Sequence, residues 1–257
     1  MKIISVVSAK GGVGKTTVAA TLAHALVRQG ARVLVADLDP QNALALHFGI
    51  HPNEQRGLSR ASLAQQSWRT VVMESPAGAY IVPYGIVNED DRGRFERFVE
   101  NRSDWLAANI QSLGLSQDTV VLIDTPPGPS VYMKQALSLA HLVVVVTLSD
   151  AASYATLPMM QRLVQTYCLN RRDFQDCLYL VNQVDKGFQL SKDVSHLMMD
   201  NFGDRVVGMV HRDQSVCEAL AQDRSVIDYE PGSQASADLC LAAERIHQRL
   251  HVHAMVA

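Results

Sequence analysis

The chain has 257 residues, of which 47% are hydrophobic and 19% charged, and it carries a formal net charge of −3. That length and balance suit one α/β domain with an ample core, taken here as residues 1–257, and they supply no overall positive field to draw the molecule to DNA or anionic lipid. The longest strongly apolar run, 142–148, is too short to span a membrane, no basic start precedes a cleavable apolar stretch, and the four cysteines lack any Cys-x-x-Cys spacing, so the expectation is a cytoplasmic protein whose thiols are buried.

The first predicted element is a strand, Ile3-Ile4-Ser5-Val6-Val7. It runs into Ser8-Ala9-Lys10-Gly11-Gly12-Val13-Gly14-Lys15-Thr16-Thr17, and good helix formers follow with Val18, Leu22, Ala25 and Leu26 at helical spacing. Strand, glycine turn and helix opening on Lys-Thr is the context of a phosphate-binding loop. Glycines let several backbone N–H groups converge on a polyphosphate, and the helix aims its positive end at the same anion. In this reading Gly11, Gly12, Val13, Gly14, Lys15, Thr16 and Thr17 bind a polyphosphate. Lys15 reaches the β- and γ-phosphates, and the Thr16 hydroxyl holds Mg²⁺.

A second buried strand, 32–37, ends in Asp37-Leu38-Asp39-Pro40-Gln41. Residues two apart on extended backbone point the same way, and strand carboxyl ends border the ligand crevice of parallel sheets. Asp37 is therefore assigned to the Mg²⁺ shell and Asp39 to the attacking water. Residues 51–69 read as a loop with a short helix near 62–66; Trp68 is a lid, a partner contact or core packing. Strands are expected at 70–73 and 80–82. One helix is expected from the charge-rich 89–98 segment through Trp105 and Ile110 to Leu113, with Gly114 as its stop.

A third buried strand, 119–124, again closes on an acid. Asp124 before Thr125-Pro126-Pro127-Gly128 is the arrangement that holds Mg²⁺ near Thr16. Later strands are expected at 141–147, 178–185 and 205–210. Helices are expected at 151–167, with a kink or restart at Pro158, and at 190–202, 218–222 and 235–250. His247, His251 and His253 cluster near the end, where an exposed polar face is preferred to a metal site. The predicted fold is a doubly wound α/β domain with a mainly parallel sheet and helices on both faces.

The loop Lys10-Gly11-Gly12-Val13-Gly14-Lys15-Thr16-Thr17 resembles the deviant Walker A loop of the ParA/MinD family of P-loop ATPases. Asp37-Leu38-Asp39-Pro40-Gln41 and Asp124-Thr125-Pro126-Pro127-Gly128 resemble its two switches, with Asn42 where glycine is usual. The resemblance spans nearly the whole chain. It implies slow ATP hydrolysis in an ATP-sandwiched homodimer, with Lys10 crossing to the other subunit's nucleotide and acting with Lys15 and Asp39. It also implies that Asn182 contacts adenine. His211 and Arg212, where relatives have Ile-Pro, would lie by the base. His211-Arg212-Asp213, Glu218–Ala221, Ser225–Tyr229 and Leu44–Phe48 are further similar to the BcsQ group of cellulose-biosynthesis ATPases. That implies partners of the BcsR and BcsE type and a cellulose synthase complex, with recruitment to the inner membrane through them.

Two other readings stay open on the residues. One is a DNA- or cargo-partitioning ATPase using Arg171, Arg172, Lys186 and Lys192, a reading weakened by Asp173, Asp185 and Asp193 beside them. The other is a scaffold that keeps ATP without hydrolysing it. The tail after Leu250 carries no lysine or arginine, which argues against its attachment to a membrane surface.

Overall fold

Apolar strands that alternate with helical stretches must be covered on both faces, and the observed chain achieves this with one sheet between two helical layers. The computed structural model describes residues 1–51 and 54–252, with side chains as far as Leu250. In chain order the elements are β1 (Lys2–Val7), α1 (Lys15–Arg28), β2 (Val33–Asp37), α2 (Leu58–Leu63), β3 (Met73–Glu74), β4 (Tyr80–Val82), α3 (Glu89–Glu100), α4 (Trp105–Ser112), β5 (Val120–Asp124) and α5 (Val131–Leu139). They continue as β6 (Leu142–Leu148), α6 (Ala151–Tyr154), α7 (Leu157–Tyr167), β7 (Asp176–Val184), α8 (Gln189–Phe202), β8 (Val206–His211), α9 (Ser215–Ala221), α10 (Val226–Tyr229) and α11 (Gln234–Val252). Short 3₁₀ turns cover Ala43–Phe48, Trp68–Thr70 and Gly203–Arg205.

The strand order is β3-β4-β2-β5-β1-β6-β7-β8, and every pairing is parallel except β3 with β4. Alternation along each strand sorts its side chains between the layers. Ile4 and Val6 of β1 face the core beneath α1, α10 and α11, together with Val33, Val35, Val120 and Leu122. Ile3, Leu34, Val121 and Ile123 face the opposite core under α2–α5. Val7, Val143, Val145 and Tyr179 face the part under α5, α7 and α8. Consecutive strand residues are thus mostly apolar because each face has its own core.

The sheet, its parallel sense and both helical layers agree with the sequence expectation. Several boundaries differ, for identifiable reasons. The helix expected at 62–66 lies at Leu58–Leu63, ending where Gln65 takes a left-handed conformation at φ 56°. The strand expected at 70–73 shrinks to Met73–Glu74 because residues 68–70 form a 3₁₀ turn capped by Ser67. Trp68 is fully buried, which makes it a packing residue; its indole N–H and that of Trp105 both donate to the Ser62 hydroxyl, at 3.0 and 3.1 Å.

The single helix expected from 89 to 113 is two helices, α3 and α4. Gln135 on α5 stabilises the break. Its amide nitrogen donates to the Arg102 carbonyl at 2.6 Å, and its oxygen accepts from Leu106 N–H at 3.3 Å. One buried side chain therefore serves the end of one helix and the start of the next. The expected restart at Pro158 is observed, with α7 beginning at Leu157 and proline in its first turn, where its missing N–H costs nothing. Of the cysteines, Cys168 and Cys177 are buried, but Cys217 is exposed and Cys240 only half-buried, so the expectation of four buried thiols fails for two. His247 Nδ1 lies 3.0 Å from Gln29 Oε1, and the His251 and His253 side chains lie outside the described residues.

Candidate functional site

β1 is flanked by β5 and β6, and the chain leaves it through a loop that turns directly into α1. Gly12 and Gly14 adopt φ 77° and 78°, a left-handed conformation that glycine enters without steric cost. A Cβ on Gly14 would also fall 2.4 Å from Asn182 Nδ2 and push that amide aside. The Ser8 hydroxyl donates to the Lys10 carbonyl at 3.0 Å, and Gly128 N–H donates to the Ser8 carbonyl at 2.9 Å. The second of these bonds ties the loop after β5 to the phosphate loop.

Two strand-end acids meet below this loop. Asp37 and Asp124 stand opposite each other in the parallel register of β2 and β5, and neither is exposed to solvent. Lys15 Nζ lies 2.5 Å from Asp124 Oδ1 and 3.4 Å from the Thr16 hydroxyl. Asp37 Oδ1 accepts the Asp39 N–H at 2.9 Å. The second oxygen of each carboxylate, Asp37 Oδ2 and Asp124 Oδ2, is buried and has no hydrogen-bond partner.

Burial pushes the Asp37 carboxyl well above the usual carboxylate range, and the neighbouring charge of Asp124 pushes it further; the Asp39 N–H and Lys15 act the other way. Burial also raises Asp124, against the opposing pull of Lys15 and the Thr16 hydroxyl. An unpaired buried carboxylate oxygen is costly. Two of them beside a threonine hydroxyl form a set of hard oxygen donors suited to Mg²⁺. Among the described residues no three His, Cys, Asp or Glu side chains form a metal cage. Mg²⁺ takes one or two carboxylates and completes its shell with water and phosphate oxygens.

Asp39 is nearly buried, and its Oδ1 accepts the Gln41 N–H at 3.0 Å. It borders a cavity of about 210 Å³ together with Ser8, Lys10, Lys15, Thr16, Gln41 and Pro127. Lys10 is half-exposed on that rim and makes no ion pair among the described residues. Gly14 and Thr17 also border a second cavity of about 500 Å³, formed with Asn182, Gln183, His211, Arg212 and Val216. The phosphate loop therefore borders both cavities, the larger lying between the ends of β7 and β8.

The structure gathers the sequence-assigned residues around the loop, with Lys10, Lys15, Thr16 and Asp39 at the first cavity, Asn182, His211 and Arg212 at the second, and Asp37 and Asp124 buried beside Lys15. It also gives some of them further duties. Asn182 donates to the Val13 carbonyl at 2.8 Å, so its amide braces the phosphate loop from behind. The His211 ring shares Asp238 of α11 with its own backbone N–H, at 2.7 and 2.9 Å. Arg212 N–H donates to the Val184 carbonyl at 2.9 Å, which holds the two strand ends together.

Sequence reasoning did not assign Gln183, which occupies a left-handed conformation at φ 55° where the β7–β8 register shifts. It also missed a link between the two acid-bearing loops. Asn42 sits at φ 51°, a region glycine prefers and asparagine tolerates, and its Oδ1 accepts the Gly85 N–H at 3.1 Å. Next to Gly85, the Tyr84 hydroxyl meets that of Tyr132, at the start of α5, at 2.8 Å in the core. Asparagine in place of the usual glycine was the available signal for the first contact. The tyrosine pair had none, because its members are far apart in sequence.

The family model described as cellulose biosynthesis protein BcsQ matches residues 1–246. The chain is similar to cellulose biosynthesis protein BcsQ of Escherichia coli (strain K12), with 26% identity over 245 residues covering 95% of this chain and 93% of that one. Its fold is similar to that of the septum site-determining protein MinD complexed with Mg-ADP from Pyrococcus horikoshii OT3, with a TM-score of 0.80, 21% identity and 98% of each chain covered. It is also similar to cobyrinic acid a,c-diamide synthase from Mycobacterium smegmatis with bound ATP analog and magnesium, with a TM-score of 0.78, 22% identity, and 98% of this chain and 97% of that one covered.

Proposed function

The chain belongs to the BcsQ family of cellulose biosynthesis proteins, and on that premise we propose that it is an ATP- and Mg²⁺-binding homodimer that regulates assembly or localisation of a bacterial cellulose synthase secretion complex. The observation that carries the nucleotide part is the buried set of Lys15, Asp37 and Asp124 under a left-handed glycine loop. Such a set is unfavourable in isolation and becomes favourable when a polyphosphate and a divalent ion share its charges. The solved MinD and cobyrinic acid a,c-diamide synthase structures, whose titles name Mg-ADP and an ATP analog with magnesium, support the same ligands.

In this reading the loop amides and Lys15 hold the β- and γ-phosphates, with Lys15 leaving Asp124 to do so. Thr16, Asp37 and Asp124 would hold Mg²⁺, which neutralises phosphate charge when bound. Asp39 orients a water for attack on the γ-phosphorus as the bond to the β-phosphate oxygen breaks. The partner subunit's Lys10 neutralises the charge that develops there, the role of a cation supplied in trans. Asn182, His211 and Arg212 flank the base. Hydrolysis then removes the contacts that keep the loops after β2 and β5 in their bound arrangement. Among the described residues no helix is long and apolar enough to cross a membrane. In this reading recruitment to the inner membrane uses partners of the BcsR and BcsE type.

The test is molar mass in solution with ADP and with ATP–Mg²⁺, for wild type and Asp39→Ala. A monomer with ADP that becomes a dimer with ATP, longer-lived in the variant because its water is no longer oriented, is the expected result. A dimer under every condition, with ATP retained through purification, would assign the nucleotide a structural role and discard the switch.

A further inference from the structure

A second cleft lies away from the phosphate loop, where the later turns of α1 meet the 3₁₀ turn Ala43–Phe48, the Ser75–Ala77 turn and residues 223–228. His24 is nine residues beyond Lys15, about 14 Å along the helix axis. The cleft has a volume of about 430 Å³, within the range of small-molecule sites. His24 is 4% exposed, and neither of its ring nitrogens has a hydrogen-bond partner. Ser225, 3% exposed, also has a buried hydroxyl without a partner. His47 is 6% exposed and lines the same space, and the Phe48 ring packs edge-on to His24 at 4.7 Å.

Three unsatisfied polar atoms in one small region are unusual, because buried polar groups are nearly always paired. Burial keeps both imidazoles below their ordinary pKa, His47 down to about 4, so both are neutral near pH 7. Each ring then offers one donor and one acceptor, and the serine hydroxyl offers both. The charges at the mouth cancel: Arg28 is paired with the Asp228 carboxylate, Arg224 donates to the Asp228 carbonyl, and Asp223 adds a carboxylate. The lining therefore has no net charge to hold an ion. Among the described residues it also lacks the three ligands of a metal cage.

We propose that this cleft is a second binding site, separate from the nucleotide cleft, for an uncharged small molecule carrying several hydroxyl groups. The unpartnered His24 and Ser225 atoms are closed to water, so an occupant reaches them only when those side chains turn toward the cleft; a hydroxyl group, which donates and accepts, then serves either ring tautomer. It does so without the cost of bringing a charge against neutral imidazoles. The Phe48 ring provides an apolar wall for the C–H face of such a molecule. His47 and Phe48 close the turn that begins right after the loop carrying Asp37 and Asp39, so an occupant touches the segment leaving that loop.

The test uses the full chain with ¹⁵N-labelled histidine. Ring signals of His24 and His47 are assigned with His24→Gln and His47→Gln, then followed while glycerol, D-glucose, D-ribose and myo-inositol are added, with inorganic phosphate as the charged probe. At least one polyol should shift both rings saturably with the imidazoles still neutral. Ser225→Ala, which removes one oxygen and disturbs packing least, should weaken that binding about tenfold and leave ATP affinity unchanged. No saturable shift with any polyol up to its solubility limit would overturn the proposal, as would a crystal soaked in the polyols that holds only water in the cleft. Saturation by phosphate with the rings becoming imidazolium would overturn the ligand chemistry in favour of an anion.

Discussion

At the phosphate-loop end of the cleft the working groups are local. Lys10, Lys15 and Thr16 lie within seven consecutive residues, and Asp37 and Asp124 end neighbouring strands in register. The charges of Lys15, Asp37 and Asp124 are buried, mutually opposed and only partly paired. At the far end, between β7 and β8, the lining is assembled from distant pieces. Asn182 braces Val13, His211 leans on Asp238 of α11, and Gln183 occupies a strained bulge. The first end stores electrostatic cost that a ligand relieves; the second offers shape and hydrogen bonds already satisfied within the protein. Affinity and switching should therefore reside at the first end and modest selectivity at the second.

The most forceful way to break that contrast is Lys15→Ala. Removing the cation leaves Asp124 and Asp37 buried without compensation, so the ligand-free protein should lose about 3 kcal/mol of stability. ATP affinity should fall about a hundredfold or more, as read by calorimetric titration. A variant that keeps wild-type affinity would remove Lys15 from the phosphate site.

Asp37→Asn probes the stored cost directly. The folded-state pKa of Asp37 lies above its unfolded value of 3.8, so the folded protein binds more protons. Its stability therefore falls as pH rises from that value through the raised pKa. The variant escapes this loss. In metal-free buffer it should be more stable than wild type near neutral pH, and the advantage should vanish below about pH 4. Denaturant melts of both proteins across pH give the difference, and background titration of other groups cancels. A variant less stable than wild type at neutral pH would show that the carboxylate is compensated already.

The smallest effect belongs to the far end. Asp238→Asn loosens His211 without touching the phosphate loop. It should weaken ATP and ADP equally, by about 1 kcal/mol or severalfold, in parallel titrations. Unequal losses would mean that this end senses the γ-phosphate, and the division of labour between the two ends would fail.

The same division separates what could be read from the amino-acid order from what could not. The grouping of Lys10–Thr17, Asp37, Asp39 and Asp124 was legible because a phosphate-binding loop and its strand-end acids need fixed residue types at short spacing after an apolar strand. The sheet was legible because strands covered on both faces must be continuously apolar. The α3–α4 break was hidden, since Gln135, which serves both helix ends, lies 33 residues beyond Arg102. The Tyr84–Tyr132 contact, the bracing role of Asn182 and the two unpartnered nitrogens of His24 were hidden for the same reason. Local backbone chemistry and periodic burial are written into neighbouring residues. Which distant side chains come within hydrogen-bonding distance, and which are buried with no partner at all, is decided only when the helical layers close over the sheet.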